Sequence, residues 1–286
     1  MALVMVLWVI TLLTVIAASF TLGMRRETGT IWHLAEVSQA RAAAEAGVRF
    51  AMLGLLESDD MLAWKADGTV REFVFGDIVL VVTVTDEAGR VDLNTGSPEL
   101  IDGLLRSVGL EDETSRDVLR DSILDWRDPS PFRRMAGLSE ADYRAAGREY
   151  GPGNAPFLSL EELLLVPGVT PELYRRLLPM LTVHSLQSGI NFSVASKEVL
   201  MALPGIDARM VEAYLARREE ARELGHPAPG FEGLGLGSNQ GRAYSVESFA
   251  RMPSGLEQGL RVVLVGAVGL GREPYTIVHY RWEEAP

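Results

Sequence analysis

An uncharged segment near the beginning of the chain constrains the fold more than any other feature of this sequence. Residues 2–24, ALVMVLWVITLLTVIAASFTLGM, contain no acidic or basic side chain. A helix of this length extends roughly 35 Å, enough to cross a hydrocarbon core of about 30 Å. A signal peptide would have a shorter apolar stretch preceded by basic residues, and a buried globular helix would show polar periodicity. We therefore predict a membrane-spanning helix.

Helical spacing of apolar residues continues beyond this segment. The apolar residues follow one another mostly at steps of three or four, and no proline occurs before Pro98. This pattern predicts one helix of more than about fifty residues, half in lipid and half outside. The spaced residues of the outer half are Ile31, Leu34, Ala44, Val48, Met52 and Leu55.

The charges beside the span bear on its orientation. Arg25 and Arg26 follow it directly, and no basic residue precedes it. Taken alone, the positive-inside rule would place the rest of the chain in the cytoplasm. A short basic leader before Met1 would reverse that orientation.

The remainder of the sequence has the pattern of strands, then helices, then strands again. Alternating apolar residues in GDIVLVVTVTDE, residues 76–87, predict a strand, with FVF and RVDLN adding short strands on either side. A second strand region is predicted near 260–269 and 274–283, after a Gly/Pro-rich loop at 225–241. Helix-start signals lie between the two strand regions, at Ser97–Pro98, Ser139/Asp142, Ser159/Glu162 and Thr170–Pro171.

The composition argues against a general affinity for polyanions, and the motifs argue against catalysis. The chain has 39 acidic and 27 basic residues, a net charge of -12 and no cysteine. Its four histidines lie far apart in sequence, and neither a nucleophile elbow nor a phosphate-binding loop is present. We therefore predict that the protein is not an enzyme.

A group of carboxylates in an irregular segment is the best candidate for a metal site. Asp125 and Asp128 begin the segment 125–154, and Glu140 and Asp142 follow not far downstream. Hard cations such as Ca²⁺ bind several oxygen ligands, often in a loop between helices. The residues alone favour solvated acids and helix caps over a metal site, and both interpretations stay open at this point.

Two stretches have the sequence pattern of a helix-hairpin-helix, a module that often binds nucleic-acid backbones. They are LVPGVTPELYRRLL, residues 165–178, and ALPGIDARMVEAYLARR, residues 202–218. The second glycine of the phosphate-binding turn is replaced by Thr170 in one and Asp207 in the other, and a carboxylate there would repel phosphate. We predict a shared fold without nucleic-acid binding, and keep a membrane-anchored helix-hairpin-helix nucleic-acid-binding protein as the alternative.

Taken together, these motifs resemble one family along nearly the whole chain: the minor pseudopilin K of type II secretion systems, also called general secretion pathway protein K. Each motif is weak by itself, and their order and spacing make the resemblance specific. The motifs are ALVMVLWVITLL, ARAAAEAG, DEAGRVDLN, ILDWRD, YGPGNAPFLSLEELLLVPGV and INFSVASKEVLMALPGI.

The resemblance implies an α+β fold. A long N-terminal transmembrane, pilin-like helix would pack on an antiparallel sheet, with a large all-α insert of two subdomains related to helix-hairpin-helix and SAM-like modules. The expected parts are 1–24, the transmembrane helix; 25–95, the rest of the helix and first strands; 96–190 and 191–242, the two helical subdomains with the Gly-rich loop; and 243–286, the C-terminal strands.

The resemblance also implies processing and a location. Members of the family carry a basic leader that a prepilin peptidase removes, and the new N-terminus, here Met1, is then methylated. The protein would be a single-pass protein of the bacterial inner membrane with its globular part in the periplasm. Met5 stands where other pseudopilins have a glutamate, which suits a subunit at the filament tip because a lone carboxylate in lipid is costly.

The partners implied are the other minor pseudopilins I, J and H in a tip complex, together with the major pseudopilin. Secreted cargo or the secretin channel are further candidates, and nucleic acid is not expected. The expected interface with partner helices is the outer half of the long helix: Ile31, Leu34, Val48, Met52 and Leu55.

A calcium site is a further implication of the resemblance. Some members bind Ca²⁺ in the globular part, which favours a site at Asp125, Asp128, Glu140 and Asp142. Ser130 stands where members often have a further aspartate, so one ligand is missing from the motif.

Overall fold

The long N-terminal helix forms as the sequence predicts. The structure, a computed structural model, describes residues 2–59, 62–130, 132–231, 241–266 and 274–283. Helix α1, Ala2–Leu56, runs without interruption for 55 residues. Its first part, Ala2–Phe20, is long and apolar enough to cross a membrane, and none of it is buried inside the protein. The remainder of α1 carries the globular head.

The head combines strands and helices in the predicted order. After α1 the elements are β1 Asp67–Phe75, β2 Ile78–Asp86, β3 Val91–Asp92, α2 Pro98–Ser107, α3 Glu113–Trp126, α4 Glu140–Ala145, α5 Pro171–Leu177, β4 Leu181–Thr182, α6 Lys197–Met201, α7 Ala208–Glu223, β5 Ala243–Arg251, β6 Glu257–Gly266 and β7 Tyr275–Glu283. Short 3₁₀ helices occupy Glu87–Gly89, Leu160–Leu165 and Leu178–Met180.

The described residues form one large antiparallel sheet with the strand order β1-β2-β5-β6-β7. The chain between β2 and β5, the insert, contains all the helices after α1. In β2 the buried residues alternate as predicted, with Leu80, Val82 and Val84 fully enclosed. The α+β fold with its N-terminal apolar helix is therefore confirmed.

Small residues allow α1 to pack closely on this sheet. Ala40, Ala44 and Ala51 are completely buried against strands β2, β5 and β6. At Gly47, an added Cβ would lie 2.1 Å from the Ser248 Oγ atom and 3.0 Å from a Val82 methyl group. Short side chains on one face thus set the distance between the helix and the sheet.

Replacing Gly47 with alanine should destabilise the head by about 1–3 kcal/mol, because the added methyl group overpacks the interface. Rotation of the Ser248 hydroxyl would not relieve this, since the Ser248 Cβ atom also lies at 3.2 Å. Thermal unfolding of the full chain in detergent measures the effect. Gly29→Ala is the matched control: it has no atom within 4 Å, so alanine should be neutral or stabilise the helix by about 0.5–1 kcal/mol. Equal effects of the two substitutions would contradict this packing argument.

The helices of the insert surround a core of their own. Leu104, Ile123, Leu163 and Tyr214 are among its fully buried residues, and the buried residues form one continuous apolar cluster. The predicted division into two subdomains, 96–190 and 191–242, therefore remains a prediction. Within the described residues, the core of the insert is separate from the cluster between α1 and the sheet.

Both predicted hairpins form helix–turn–helix units. The first joins the 3₁₀ helix Leu160–Leu165 to α5 through Gly168, and the second joins α6 to α7 through Gly205. Both glycines have a positive φ, 94° and 75°, which glycine adopts without steric cost. Thr170 and Asp207 cap the helices that follow, by accepting hydrogen bonds from Leu173 N at 3.1 Å and Met210 N at 2.8 Å.

The other predicted helix starts are confirmed with one exception. Ser97 caps α2, and Ser139 forms a complete capping box with Asp142. The box predicted at Ser159 is wrong, because that residue makes no capping hydrogen bond. Glu162 instead accepts a hydrogen bond from Leu158 N at 3.1 Å.

The strand prediction differs from the structure in two places. RVDLN does not join the large sheet: Val91–Asp92 pairs in parallel with Leu181–Thr182 inside the insert. The prediction near 260–269 and 274–283 missed β5, the strand that precedes these two. Its apolar alternation is weak in the sequence because two of its buried residues, Ser245 and Ser248, are polar. Residues 267–269 of the predicted strand at 260–269 lie outside the described residues. The same holds for residues 232–240 of the predicted loop at 225–241.

Candidate functional site

The motif DEAGRVDLN forms the junction where the chain leaves the sheet for the insert. Asp86, the last residue of β2, is 1% exposed. Its carboxylate accepts hydrogen bonds from Ala88 N at 2.9 Å, Asn191 Nδ2 at 3.0 Å and Gly241 N at 2.8 Å. Burial raises the pKa of Asp86 above the usual range for aspartate, and the three hydrogen bonds oppose that rise. One buried carboxylate thus joins the sheet, the insert and the segment that leads back to β5.

A second acidic residue of the junction is neutralised locally. Glu87 is 2% exposed and forms an ion pair with Arg90 at 2.6 Å. The same carboxylate oxygen also accepts a hydrogen bond from the Ser245 hydroxyl on β5. Because a buried charge needs a partner, this arrangement binds the start of the insert to the neighbouring strand.

Asp92 and Asn94 then connect the junction to distant parts of the insert. Asp92 is fully buried, and its carboxylate accepts hydrogen bonds from Asn94 N at 2.7 Å and Leu186 N at 2.8 Å. The Asn94 amide both donates to Phe157 O at 3.0 Å and accepts from Phe157 N at 2.7 Å. The polar residues of the motif therefore satisfy buried backbone groups, which is a structural role.

The ILDWRD motif has the same role on the other side of the insert. Arg127 donates to two carbonyl oxygens of the junction, Leu93 O at 2.7 Å and Gly96 O at 2.9 Å. Trp126 stacks on Tyr143 and Phe157, with ring centroids 6.4 Å and 5.9 Å apart. The sequence showed these motifs individually. The hydrogen bonds between them could not be predicted, because the bonded residues lie far apart in the chain.

Replacing Asp86 with asparagine should destabilise the full chain by about 1–3 kcal/mol. Whichever way the amide is turned, its NH₂ group would face an N–H donor that the carboxylate now accepts. Thermal unfolding measures the loss, and Glu149→Gln is the control because Glu149 is exposed. An Asp86→Asn variant as stable as this control would show that the junction does not depend on the carboxylate.

The four residues predicted as metal ligands do not form one ligand set. Asp125 is 6% exposed, and its carboxylate accepts hydrogen bonds from Arg134 N at 3.1 Å and Arg134 Nη1 at 2.7 Å. The same guanidinium lies 3.4 Å from Asp128. Glu140 pairs with Arg144, an exposed contact on α4. Arg134, which was not a predicted site residue, thus supplies the positive charge beside Asp125 and Asp128.

The fourth predicted ligand, Asp142, serves the capping box. It accepts hydrogen bonds from the Ser139 backbone and hydroxyl, and these bonds lower the pKa of Asp142. Across the part of the chain that the structure describes, no group of three or more His, Cys, Asp or Glu side chains is placed to hold a metal. The described arrangement does not fit a calcium ion, and the calcium site that the resemblance implied is left untested.

Replacing Arg134 with glutamine should cost about 1–3 kcal/mol of stability, because it leaves the buried Asp125 charge without its cation. The control is Arg144→Gln, which removes an exposed pair and should cost less than about 0.5 kcal/mol. Thermal unfolding of both variants and the unsubstituted chain should be unchanged between excess chelator and millimolar Ca²⁺. A large rise in the unfolding temperature of the unsubstituted chain with Ca²⁺ would show that these carboxylates rearrange to bind it.

The residues predicted to contact partner helices divide into two groups. Ile31 and Leu34 are 61% and 60% exposed. Val48 is buried against the chain's own sheet, and Met52 and Leu55 pack partly against the same core. A partner cannot reach Val48 in this arrangement. The small residues on the same face mark the side of α1 that packs on the sheet, and this signal was present in the sequence.

Exposed apolar residues of α1 that were not predicted extend this set, and we call the whole set the stem surface. It consists of two groups, Ile31, Trp32 and Leu34 nearer the span and Phe50, Leu53 and Leu56 near the end of the helix, which are between 40% and 72% exposed. Roughly 24 Å of helix separates the two groups. Large apolar side chains left uncovered in this way are typical of interaction surfaces. Met1, the predicted processing and methylation residue, lies outside the described residues.

The second hairpin carries no basic stripe in the described structure. On α7, Arg222 lies 3.7 Å from Glu219, and Arg218 donates to the backbone oxygens of Phe192 and Ala195. Lys197 pairs with Glu212 at 3.1 Å. Arg209 and Arg217 are exposed on the same helix, interspersed with acidic residues. This mixed charge differs from the basic surface that binds a phosphate backbone.

Comparison with known proteins agrees with this geometry. Residues 82–185, which include the whole DEAGRVDLN motif, match the family model for type II secretion system protein K. The type II secretion system protein K of Klebsiella pneumoniae is 28% identical over 225 residues, covering 70% of this chain and 68% of that protein. In a solved structure, the GspK–GspI–GspJ complex of the enterotoxigenic Escherichia coli type 2 secretion system, one chain has the same fold. The TM-score is 0.60 with 15% identity, over 87% of this chain and 98% of that one.

Proposed function

We propose that this chain is a member of the type II secretion system protein K family, and that it caps the tip of the pseudopilus as a minor pseudopilin. In that position it helps to initiate assembly of the fibre that serves the export of folded proteins across the outer membrane. The protein works as a structural subunit and has no catalytic role.

The position of the insert is the observation that carries this proposal. Along α1, residues near Trp32 lie beside the turn that contains Asp77, whereas Gly54 lies beside Trp64, just before β1. The insert begins after Asp86 and returns at Tyr244, and both lie at the end of the sheet that is remote from the span. A bulky body at that end would obstruct another subunit stacked above it, so the chain suits the end of a fibre.

The membrane-spanning segment supports the same position. The apolar part of α1, Ala2–Phe20, contains no ionisable side chain. A subunit with a carboxylate in this region would need a neighbour to neutralise it, because an unpaired charge in lipid is costly. A chain that lacks one needs no such neighbour above it.

We propose an inner-membrane location with the head in the periplasm, after removal of a leader and methylation of Met1.

The stem surface is the part of the molecule best suited to hold partners. In the E. coli complex a chain of the same fold is assembled with GspI and GspJ, and we propose the corresponding minor pseudopilins I and J as partners here. Pseudopilin H and the major pseudopilin would lie below this complex in the fibre. The insert would remain uncovered at the tip, where it could contact secreted cargo or the secretin.

Co-expression of the full chain with minor pseudopilins I and J of the same bacterium tests this proposal. The unsubstituted chain should co-purify with both from detergent-solubilised membranes. Leu53→Glu should reduce the retained partners about tenfold or more, because it places a charge at the centre of an apolar contact. Leu224→Glu is the control, since Leu224 is 62% exposed on the insert and Leu53 is 65% exposed. Absence of co-purification of the unsubstituted chain would overturn the proposal.

A further inference from the structure

A groove opens between α1 and the end of the sheet that lies closest to the membrane span. Its volume is about 610 Å³. One wall is α1, with Trp32 and Glu36, and the other consists of the β1–β2 turn, with Phe75 and Asp77, and the turn after β5, with Met252 and Pro253. The groove adjoins the stem surface through Trp32, which belongs to both.

The apolar walls of the groove are unusually exposed. Trp32 is 72% exposed and Phe75 is 59% exposed. Large aromatic side chains left uncovered in a concave site are favourable anchors for a protein partner, because they bury much area at little cost in conformational entropy. The shape and the aromatic content therefore point to an occupant with an apolar surface.

The charges of the groove specify this occupant further. Glu36 and Asp77 contribute two carboxylates to the apolar walls. Neither forms an ion pair with any of the residues that the structure describes. A basic side chain on the occupant would complement these two charges.

The membrane surface fits the groove less well than a protein does. Trp32 follows Met24, the last residue of the uncharged segment 2–24, by eight residues, which is roughly 12 Å along the helix axis. The headgroup layer of one leaflet is only about 5–7 Å thick. In addition, anionic lipid would repel the two carboxylates.

We propose that this groove receives an arginine or lysine side chain presented by an apolar segment of a neighbouring subunit. The inference rests on the proposed function, because the neighbour is a second pseudopilin in the tip complex. The aromatic walls bury the apolar part of the segment, and Glu36 and Asp77 neutralise its basic group.

Charge reversal in the full chain, co-expressed with minor pseudopilins I and J, tests this proposal. The Glu36→Lys/Asp77→Lys variant should retain at least tenfold less partner than the unsubstituted chain. The matched control, Glu111→Lys/Glu149→Lys, makes the same change in net charge at two exposed residues of the insert and should retain partners normally. Thermal unfolding of both variants should match the unsubstituted chain, since none of the four side chains is buried.

A fluorescent label reports on the groove directly. The natural chain has no cysteine, so Ala35→Cys, on the wall of the groove, can be labelled uniquely with bimane. Its emission should shift to shorter wavelength when the partners are added to the chain in lipid nanodiscs, and not when the chain is moved from detergent to nanodiscs alone.

The outcomes separate the two proposals. If the unsubstituted chain associates and the charge-reversed chain associates equally well, the groove proposal is overturned while the proposed function stands. A bimane shift produced by lipid alone would assign the groove to the membrane and overturn a protein occupant. If the unsubstituted chain retains no partner, the proposed function fails and the groove proposal fails with it.

Discussion

The close contact between α1 and the sheet determines how the whole molecule is arranged. Because Gly47 allows the helix to lie against Ser248 and Val82, the stem and the head form one packed unit. That contact fixes which face of α1 is buried and which stays available as the stem surface. It also sets one end of the sheet near the membrane span and the other end far from it. The position of the insert follows from this geometry.

The junction fixes the insert to the sheet through hydrogen bonds of buried polar groups rather than through apolar packing. Asp86, Glu87 and Asp92 are buried carboxylates, and each accepts hydrogen bonds from segments that are distant in sequence. Such groups stabilise only one arrangement, because any other leaves a charge buried without a partner. The DEAGRVDLN motif therefore forms a structural joint, and the surfaces that we propose for partner proteins lie elsewhere, on α1 and along the groove.

The sequence predicted the elements with strong local signals. The uncharged run predicted the first part of α1, the alternating apolar residues predicted β2, and Thr170–Pro171 predicted the start of α5. Features that depend on distant partners could not be predicted in this way. Arg134 binds Asp125 across a loop, and β5 buries Ser248 on its core face, where alternation calls for an apolar residue. Val48 was misplaced because helical spacing alone does not show which apolar face meets the chain's own sheet.

The pairing of Asp86 with Tyr244 has a topological consequence for the insert. Strands β2 and β5 are direct antiparallel neighbours, so everything between them is formally the loop of a single β-hairpin. Closing a long loop costs little more entropy than closing a moderately long one, because the cost grows only with the logarithm of its length. The enlarged loop can therefore change in size among related proteins while the hairpin beneath it keeps its register.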